Sequence, residues 1–164
     1  MKKIFIVMLF FCAYASVAQN PQQKLDQVSL MKQLIGLWRL EISHDSAFFM
    51  DLRPYGDTGF VVSTWYVAKG ERFGEGQRLY GYDKKSDKYV GMSIRKTAGR
   101  ITFWTLWFTS DHRLEAYNFR DLFNPSGSVS RRSVAEIKTP DEFFQVNTYP
   151  DRPSDTETLS RVNK

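Results

Sequence analysis

The sequence predicts an all-β fold, an antiparallel up-and-down β-barrel of about eight to ten strands capped by one short N-terminal helix. About ten segments rich in β-branched and aromatic residues follow one another at spacings of roughly 10 to 15 residues, with turn residues between them. Only one segment has helical periodicity, so the pattern lacks the crossover helices of a parallel sheet. An open sheet of this length would leave two unpaired edges, and closure into a barrel removes both.

The first 18 residues have the features of a secretory signal peptide. Lys2 and Lys3 give a basic start, residues 4–11 form an apolar run, and a small-residue cleavage site ends at Ala18. A retained membrane anchor is disfavoured, because the run is shorter than the about 20 residues that span a bilayer. We therefore expect an exported protein, periplasmic or secreted, whose residues 19–164 form one domain with no membrane span.

Cleavage after Ala18 would change the composition of the chain. It removes Cys12, the single cysteine, so the mature chain has no disulfide and no thiolate metal site. Lipidation of Cys12 is disfavoured, because Phe10 and Phe11 before it are bulky. Cleavage also removes two of the 23 basic residues and none of the 18 acidic ones, which lowers the net charge from +5 to +3. The rest has no basic stripe of the kind that nucleic acids require, and we expect no nucleic-acid partner.

One helix is expected, over residues 21–33. Apolar residues recur there at spacings near three and four, from Leu25 to Leu34, and give the segment one apolar face. Pro21 suits a helix start, and Gly36 ends the pattern. This helix would cap one end of the barrel.

The remaining chain is interpreted as successive strands. The glycine-rich stretch 68–76 is expected to be a flexible loop, either a hairpin tip or a portal flap, and residues 121–128 a longer loop. The expected strands are 37–43, 47–52, 59–67, 77–83, 89–95, 101–110, 114–120, 129–138, 143–150 and 156–162.

Three residues connect the first expected strand to the last. Gly36 and Trp38 lie at the start of the first strand and Arg161 lies in the last, and closure places these strands side by side. We expect the Arg161 guanidinium over the Trp38 indole, a cation–π contact of about 0.5–2 kcal/mol. This glycine-x-tryptophan with a distant arginine resembles the lipocalin and calycin barrels. Residues 81–92, GYDKKSDKYVGM, further resemble a hairpin of secreted bacterial lipocalin-like proteins without an assigned function.

The resemblance covers residues 34–162 and has several implications. It implies a calycin-like barrel in which Gly36, Trp38 and Arg161 have a structural role in closure. It also implies that a small apolar or amphipathic ligand binds at the barrel mouth. The chain departs from the family in lacking cysteines for the typical disulfides. About ten strands exceed the eight of a typical lipocalin and approach the fatty-acid-binding type, whose two-helix lid after the first strand is missing here.

Aromatic and polar strand residues supply the candidate ligand-binding set. The chain has 13 Phe, eight Tyr and four Trp, and such side chains suit a cavity for a small apolar or amphipathic molecule. Arg78 and Tyr80 share one strand face. A buried arginine needs a partner, which a ligand carboxylate, Glu115 or Glu136 would supply; an outward Arg78 in a surface ion pair is the alternative. The candidates are Tyr66, Arg78, Tyr80, Trp104, Glu115, Tyr117 and Asn147.

The strand 101–108 is largely apolar on both faces. One face must look into the barrel, and the other must be covered by the N-terminal helix, a partner subunit or a membrane surface. A homodimer through this strand is therefore one of three expectations. One face carries Ile101, Phe103, Thr105 and Trp107, and the other carries Thr102, Trp104, Leu106 and Phe108.

Several classes of site lack their sequence motifs. His44 and His112 fall in expected turns, and no H-x-H or H-E-x-x-H spacing occurs, so we expect neither a metal site nor a haem ligand. No G-x-S-x-G motif occurs, and the glycines of 68–76 do not precede a helix start. Short strands, with Arg39 and Glu41 on otherwise apolar positions, disfavour an outer-membrane barrel. We expect no cofactor.

Three functions remain open. The favoured one is non-catalytic binding of a small apolar or amphipathic molecule in an aromatic-lined cavity. An enzyme on the same barrel, an isomerase, lyase or hydrolase, would need strongly shifted pKa values at Glu115, Tyr80 or Tyr117 converging in the cavity. A non-catalytic protein-interaction module would use the strand 101–108. The fold alone does not choose among the three.

Overall fold

The computed structural model describes residues 24–96, 99 and 101–162. These residues form a closed antiparallel barrel of ten strands with one short α-helix, which confirms the predicted fold class. The signal peptide expected over residues 1–18 lies outside the described residues. The elements are α1 (Gln27–Lys32), β1 (Gly36–Ser43), β2 (Ser46–Tyr55), β3 (Gly59–Ala68), β4 (Glu71–Asp83), β5 (Lys88–Arg95), β6 (Ile101–Ser110), β7 (Arg113–Phe119), a 3₁₀ turn (Ser126–Ser128), β8 (Val129–Thr139), β9 (Glu142–Thr148) and β10 (Asp155–Arg161).

Each strand pairs with the next one along the chain, and β10 returns to pair with β1. The closing register places Trp38 opposite Arg161 and Arg39 opposite Ser160. The two ends of the barrel differ. We call the end where β1 begins and β10 ends the closed end, because α1 packs there. The other end, which carries the β1–β2, β3–β4, β5–β6, β7–β8 and β9–β10 connections, is called the open end.

Alternation along the strands sorts side chains into an inner and an outer set. Directly paired residues share a face, so Phe60 with Tyr80 and Leu106 with Ala116 extend the inner set from strand to strand. The hydrophobic core gathers at the closed end. Its most buried large side chains are Trp38, Phe60, Tyr89 and Phe108, and Leu30, Met31 and Leu34 from α1 and the turn after it join them.

The helix α1 is shorter than the expected 21–33, because Asp26 caps it. The Asp26 carboxylate accepts hydrogen bonds from the backbone N–H groups of Val28 and Ser29, at 3.1 and 3.0 Å. Gln27 then fixes the helix to β6: its side chain donates to the Phe108 carbonyl and accepts from the Phe108 N–H, at 3.0 and 2.7 Å. None of the helical segments in the described residues has the length and apolarity needed to cross a membrane.

Gly36, Trp38 and Arg161 meet at the closed end. The Arg161 guanidinium lies 4.3 Å from the Trp38 ring centroid. It donates to the carbonyls of Gln33, Ile35 and Pro140, and so ties the turn after α1 to the last strand. Gly36 has a φ of +137°, and a Cβ there would lie 2.6 Å from Arg161 Nη1. Glycine is therefore required at this position by both its backbone angle and the approach of the arginine.

The stretch 68–76 is not the flexible loop that its glycines suggest. Residues from Glu71 onward belong to β4, and only Lys69 and Gly70 form the turn after β3. The register shifts between Thr64 and Tyr66, which marks a β-bulge in this hairpin. Gly74, with a φ of +63°, lies against the Tyr66 ring, so the glycine serves strand pairing around the bulge.

The outer face of β6 is covered by its own sheet neighbours rather than by α1, whose buried side chains join the interior core. Trp107 stacks on Tyr117 with a centroid distance of 5.4 Å and parallel rings. The Lys88 ammonium lies 3.7 Å from the Trp107 ring centroid. Ile101 at the open end of the strand stays exposed.

Candidate ligand-binding site

An interior cavity of about 280 Å³ lies inside the barrel. Its floor is made by Met31 and Leu34 from the α1 side, which close the barrel from below. Its wall is largely apolar and carries five aromatic rings from five strands, which suits the apolar part of a small ligand. These rings belong to Phe48, Tyr66, Tyr80, Trp104 and Phe143.

A second cavity of about 430 Å³ lies at the open end, and we call it the mouth. It shares lining residues with the interior cavity, among them Thr64, Arg78 and Trp104, so the two cavities adjoin. The side chains that line the mouth are mostly polar, and five of them are arginines. The arginines of the mouth are Arg78, Arg95, Arg120, Arg131 and Arg152.

Trp104 stands where the two cavities meet. The residue is only 5% exposed, and the guanidinium carbons of Arg78 and Arg131 each lie 4.7 Å from its ring centroid. Its indole Nε1 is buried without a hydrogen-bond partner among the described residues. A buried N–H without an acceptor costs free energy, which an acceptor on a bound molecule would relieve.

The mouth arginines have few negative partners. Arg152 lies 3.8 Å from Asp155, and its guanidinium stacks 3.6 Å from the Tyr149 ring centroid. No carboxylate of the described residues lies within 4.0 Å of the guanidinium groups of Arg78, Arg95, Arg120 or Arg131. Burial lowers the pKa of Arg131, and the nearby positive charge of Arg78 lowers it further. Burial also raises the pKa of the neighbouring Tyr80 phenol, which stays neutral.

A hydrogen-bonded polar wall faces these arginines from β8, β9 and β10. We define it as Ser133, Gln145, Asn147, Asp155 and Glu157. Asn147 is fully buried; its side-chain oxygen accepts from Ser133 and Gln145, at 2.7 and 2.8 Å. Its side-chain nitrogen donates to Asp155 at 2.8 Å, while Gln145 also donates to Glu157 at 3.2 Å. These bonds hold the wall in one arrangement, and Gln145 and Glu157 line the interior cavity.

The structure brings five of the seven candidate ligand residues to the barrel interior. Tyr66, Arg78, Tyr80 and Trp104 line the interior cavity. Asn147 is inside the barrel, but its side-chain oxygen and nitrogen are already hydrogen-bonded within the polar wall. Arg78 therefore takes the inward orientation, and the alternative of an outward surface ion pair does not occur.

Glu115 and Tyr117 lie on the outer face of β7 and do not reach the cavity. Glu115 forms ion pairs with Arg132 at 3.0 Å and with Arg113 at 3.9 Å. Tyr117 is stacked on Trp107. The reason is the strand parity, which turns Leu114, Ala116 and Asn118 inward.

Four arginines of the mouth, Arg95, Arg120, Arg131 and Arg152, were missing from the candidate set. Arg131 has the clearest signal in the sequence, because it belongs to the densest basic spot, Arg131-Arg132, whose side chains must point to opposite faces of a strand. Arg95 ends β5, also facing inward. Arg120 follows β7 in a loop, where strand alternation gives no information about direction.

The site offers cations, phenols and an indole donor. Within the described part of the chain, no group of three or more His, Cys, Asp or Glu side chains is placed to hold a metal ion. The arrangement can bind an acidic group at the mouth and an apolar group beneath it. No protein-family model matches the chain, and no curated protein is significantly similar to it.

Proposed function

We propose that this chain is an exported lipocalin-like barrel that binds a small amphipathic molecule in its interior. The observation that carries the proposal is the interior cavity, whose apolar, aromatic wall continues into a polar mouth. The Trp38–Arg161 contact between β1 and β10 supports the lipocalin-like assignment, and the features of residues 1–18 support export.

The size of the interior cavity limits the apolar part of the ligand. At the ~30 Å³ that one water molecule takes in the liquid, about 280 Å³ holds roughly nine non-hydrogen atoms. Transfer of such a group from water is favourable by about 25 cal/mol for each Å² of apolar surface buried. The polar end of the molecule would then lie in the mouth.

Native mass spectrometry of the protein purified from its exported fraction tests this proposal. We expect an extra mass that is released on denaturation, and a chain that begins near Gln19 because the first 18 residues have been removed. In a second assay the neutral fluorescent probe N-phenyl-1-naphthylamine should bind and gain emission. Absence of the extra mass together with failure to bind the probe would contradict the proposal.

A matched pair of variants localises the binding. Ala116 faces the interior cavity, so Ala116→Phe fills it and should abolish binding of the probe. Val146 faces outward on β9, where it pairs with Val134, so Val146→Phe adds the same bulk outside the barrel. The second variant should bind the probe as the parent protein does.

The other two functions have less support. Of the three candidate residues for an enzyme, Glu115, Tyr80 and Tyr117, two are removed, because Glu115 and Tyr117 lie on the outside of the barrel. An interaction module or a homodimer would use the outer face of the strand 101–108, where Trp107 is stacked on Tyr117 and Ile101 is 47% exposed. The same mass spectrum reports whether a dimer forms.

A further inference from the structure

The charges at the open end do not balance. Among the described residues that line the mouth, five are arginines and one, Asp151, is a carboxylate. Asp155 lies 3.8 Å from Arg152, and Glu157 lines the interior cavity, so this lining keeps an excess of positive charge. The excess lies with arginines that have no carboxylate within 4.0 Å among the described residues.

Two of these arginines are placed against each other at a cost. Arg78 and Arg131 both lie on the Trp104 ring, and burial together with the nearby positive charge of Arg78 lowers the pKa of Arg131. The Trp104 Nε1–H beside them has no acceptor. A protein interior without a ligand does not favour this arrangement, whereas an anion with several acceptor oxygens would satisfy all three groups.

We infer that the mouth binds the dianionic head of a phosphomonoester whose apolar tail occupies the interior cavity. This inference rests on the proposed function and names the chemical class of its ligand. Two negative charges balance more of the positive excess at the mouth than one does. A phosphomonoester carries both charges on one tetrahedral group with three terminal oxygens, and so can accept from donors that converge from different strands.

A carboxylate fits these residues less well. It carries one charge and two oxygens in a plane, which one arginine alone can satisfy with two parallel hydrogen bonds. The donors of the mouth come from three directions, with Arg78 on β4, Arg131 on β8 and the indole N–H of Trp104 on β6 between them. Arg95 lines both cavities and Arg120 lines the mouth, and both add positive charge around the same space.

Four probes distinguish the contribution of the ligand head from that of the tail, and the contribution of charge from that of geometry. Octyl phosphate and octyl sulfate share a tail and a tetrahedral oxyanion, but at about pH 8 the phosphate carries two charges and the sulfate one. Octanol keeps the tail without a charge, and inorganic phosphate keeps the head without a tail. Titration calorimetry, below the concentration at which each octyl compound aggregates, should give octyl phosphate an affinity at least about tenfold above each of the others.

Adjacent arginines on β8 provide a matched pair of variants. Arg131→Gln removes a charge from the mouth, whereas Arg132→Gln removes one from the outer face, where Arg132 pairs with Glu115 at 3.0 Å. We expect Arg131→Gln to lose at least about tenfold in affinity for octyl phosphate and little for octanol, and Arg132→Gln to change neither. Arg78→Gln, on a different strand, should show the same loss of affinity for octyl phosphate. Agreement between the two variants would show that the loss is not caused by misfolding of Arg131→Gln.

The outcomes distinguish this inference from the proposed function. If octyl sulfate or octanol binds as tightly as octyl phosphate, the barrel binds amphipathic molecules but the dianionic head is wrong. If inorganic phosphate alone binds as tightly, the mouth is a phosphate site and the tail contributes nothing, which also overturns the inference. If neither these probes nor N-phenyl-1-naphthylamine binds, both proposals fail.

Discussion

Each end of this barrel holds a tryptophan with arginine against its ring, and the two tryptophans differ in whether their polar atoms are satisfied. At the closed end, Trp38 is fully buried and its Nε1 donates to the Leu34 carbonyl at 2.8 Å. Arg161 on its ring donates to three carbonyls and lies 3.2 Å from Asp141. At the junction with the mouth, Trp104 Nε1 has no partner among the described residues.

This difference separates a structural contact from a binding site. The same residue types form both, so composition and cation–π geometry do not distinguish them. The distinction lies in the polar atoms. Those of Trp38 and Arg161 are bonded within the protein, whereas the Trp104 Nε1–H has no acceptor among the described residues, and Arg78 and Arg131 have no carboxylate of those residues within 4.0 Å. Variants at the two ends should therefore affect different properties, stability at the closed end and ligand binding at the open end.

The largest expected effect is on stability, from Trp38→Ala. The variant removes a fully buried indole, its bond to Leu34 and its edge contact with Phe143 at 4.8 Å. Loss of a buried aromatic side chain costs about 3–5 kcal/mol in the free energy of unfolding, which urea denaturation measures. Trp107→Ala on the outer face is the control and should cost less. Equal losses would mean that the closed end is no more critical than the barrel surface.

A smaller effect on stability separates the two kinds of arginine. Arg161→Gln leaves the Gln33 and Ile35 carbonyls without their donor, and we expect a loss of about 2–3 kcal/mol in the free energy of unfolding. Arg131→Gln removes repulsion with Arg78 and no ion pair within the described residues, so the ligand-free variant should be as stable as the parent or more stable. Thermal or urea unfolding of both ligand-free variants checks this pair.

One result would contradict the expected difference in stability between Arg161→Gln and Arg131→Gln. If Arg131→Gln destabilises the ligand-free barrel as much as Arg161→Gln does, then Arg131 is a structural residue. The proposal that the mouth keeps its positive charge for a ligand would lose its basis in stability.

The fold could be predicted from the sequence because the features that indicate it are either local patterns or single, distinctive residues. Turn residues at regular intervals and one helical segment define an up-and-down barrel, and Gly36, Trp38 and Arg161 mark its closing strands. The length of the helix was overestimated, because the apolar spacing continues on both sides of Asp26 while the capping bond to its carboxylate begins the helix there. Strand β4 was underestimated, because glycine in a bulge and glycine in a loop look the same in one sequence.

The site was harder to predict, because strand parity is ambiguous wherever both faces mix polar and apolar residues. In β7, Asn118 shares the inner face with Leu114, while Glu115 shares the outer face with Phe119, so neither face is identified by hydropathy. Pairing with neighbouring strands decides the orientation, through contacts such as Trp104 with Asn118. The basic mouth depends on this long-range register, which brings together arginines from β4, β5 and β8.

The smallest expected effect on stability is that of Trp104→Phe, which keeps an aromatic ring under Arg78 and Arg131 but removes the unpartnered N–H. Since that donor has no acceptor in the described protein, its loss should change the free energy of unfolding by less than about 1 kcal/mol. Affinity for octyl phosphate should nevertheless fall about tenfold, because a hydrogen bond to a charged group is lost. Trp38→Phe makes the same chemical change where the N–H is bonded to Leu34, and it should lower stability by more while leaving affinity unchanged. Urea unfolding and calorimetry of the two variants, measured side by side, test whether an unpaired donor marks a binding site. If both variants change stability and affinity equally, an unpaired donor does not mark one.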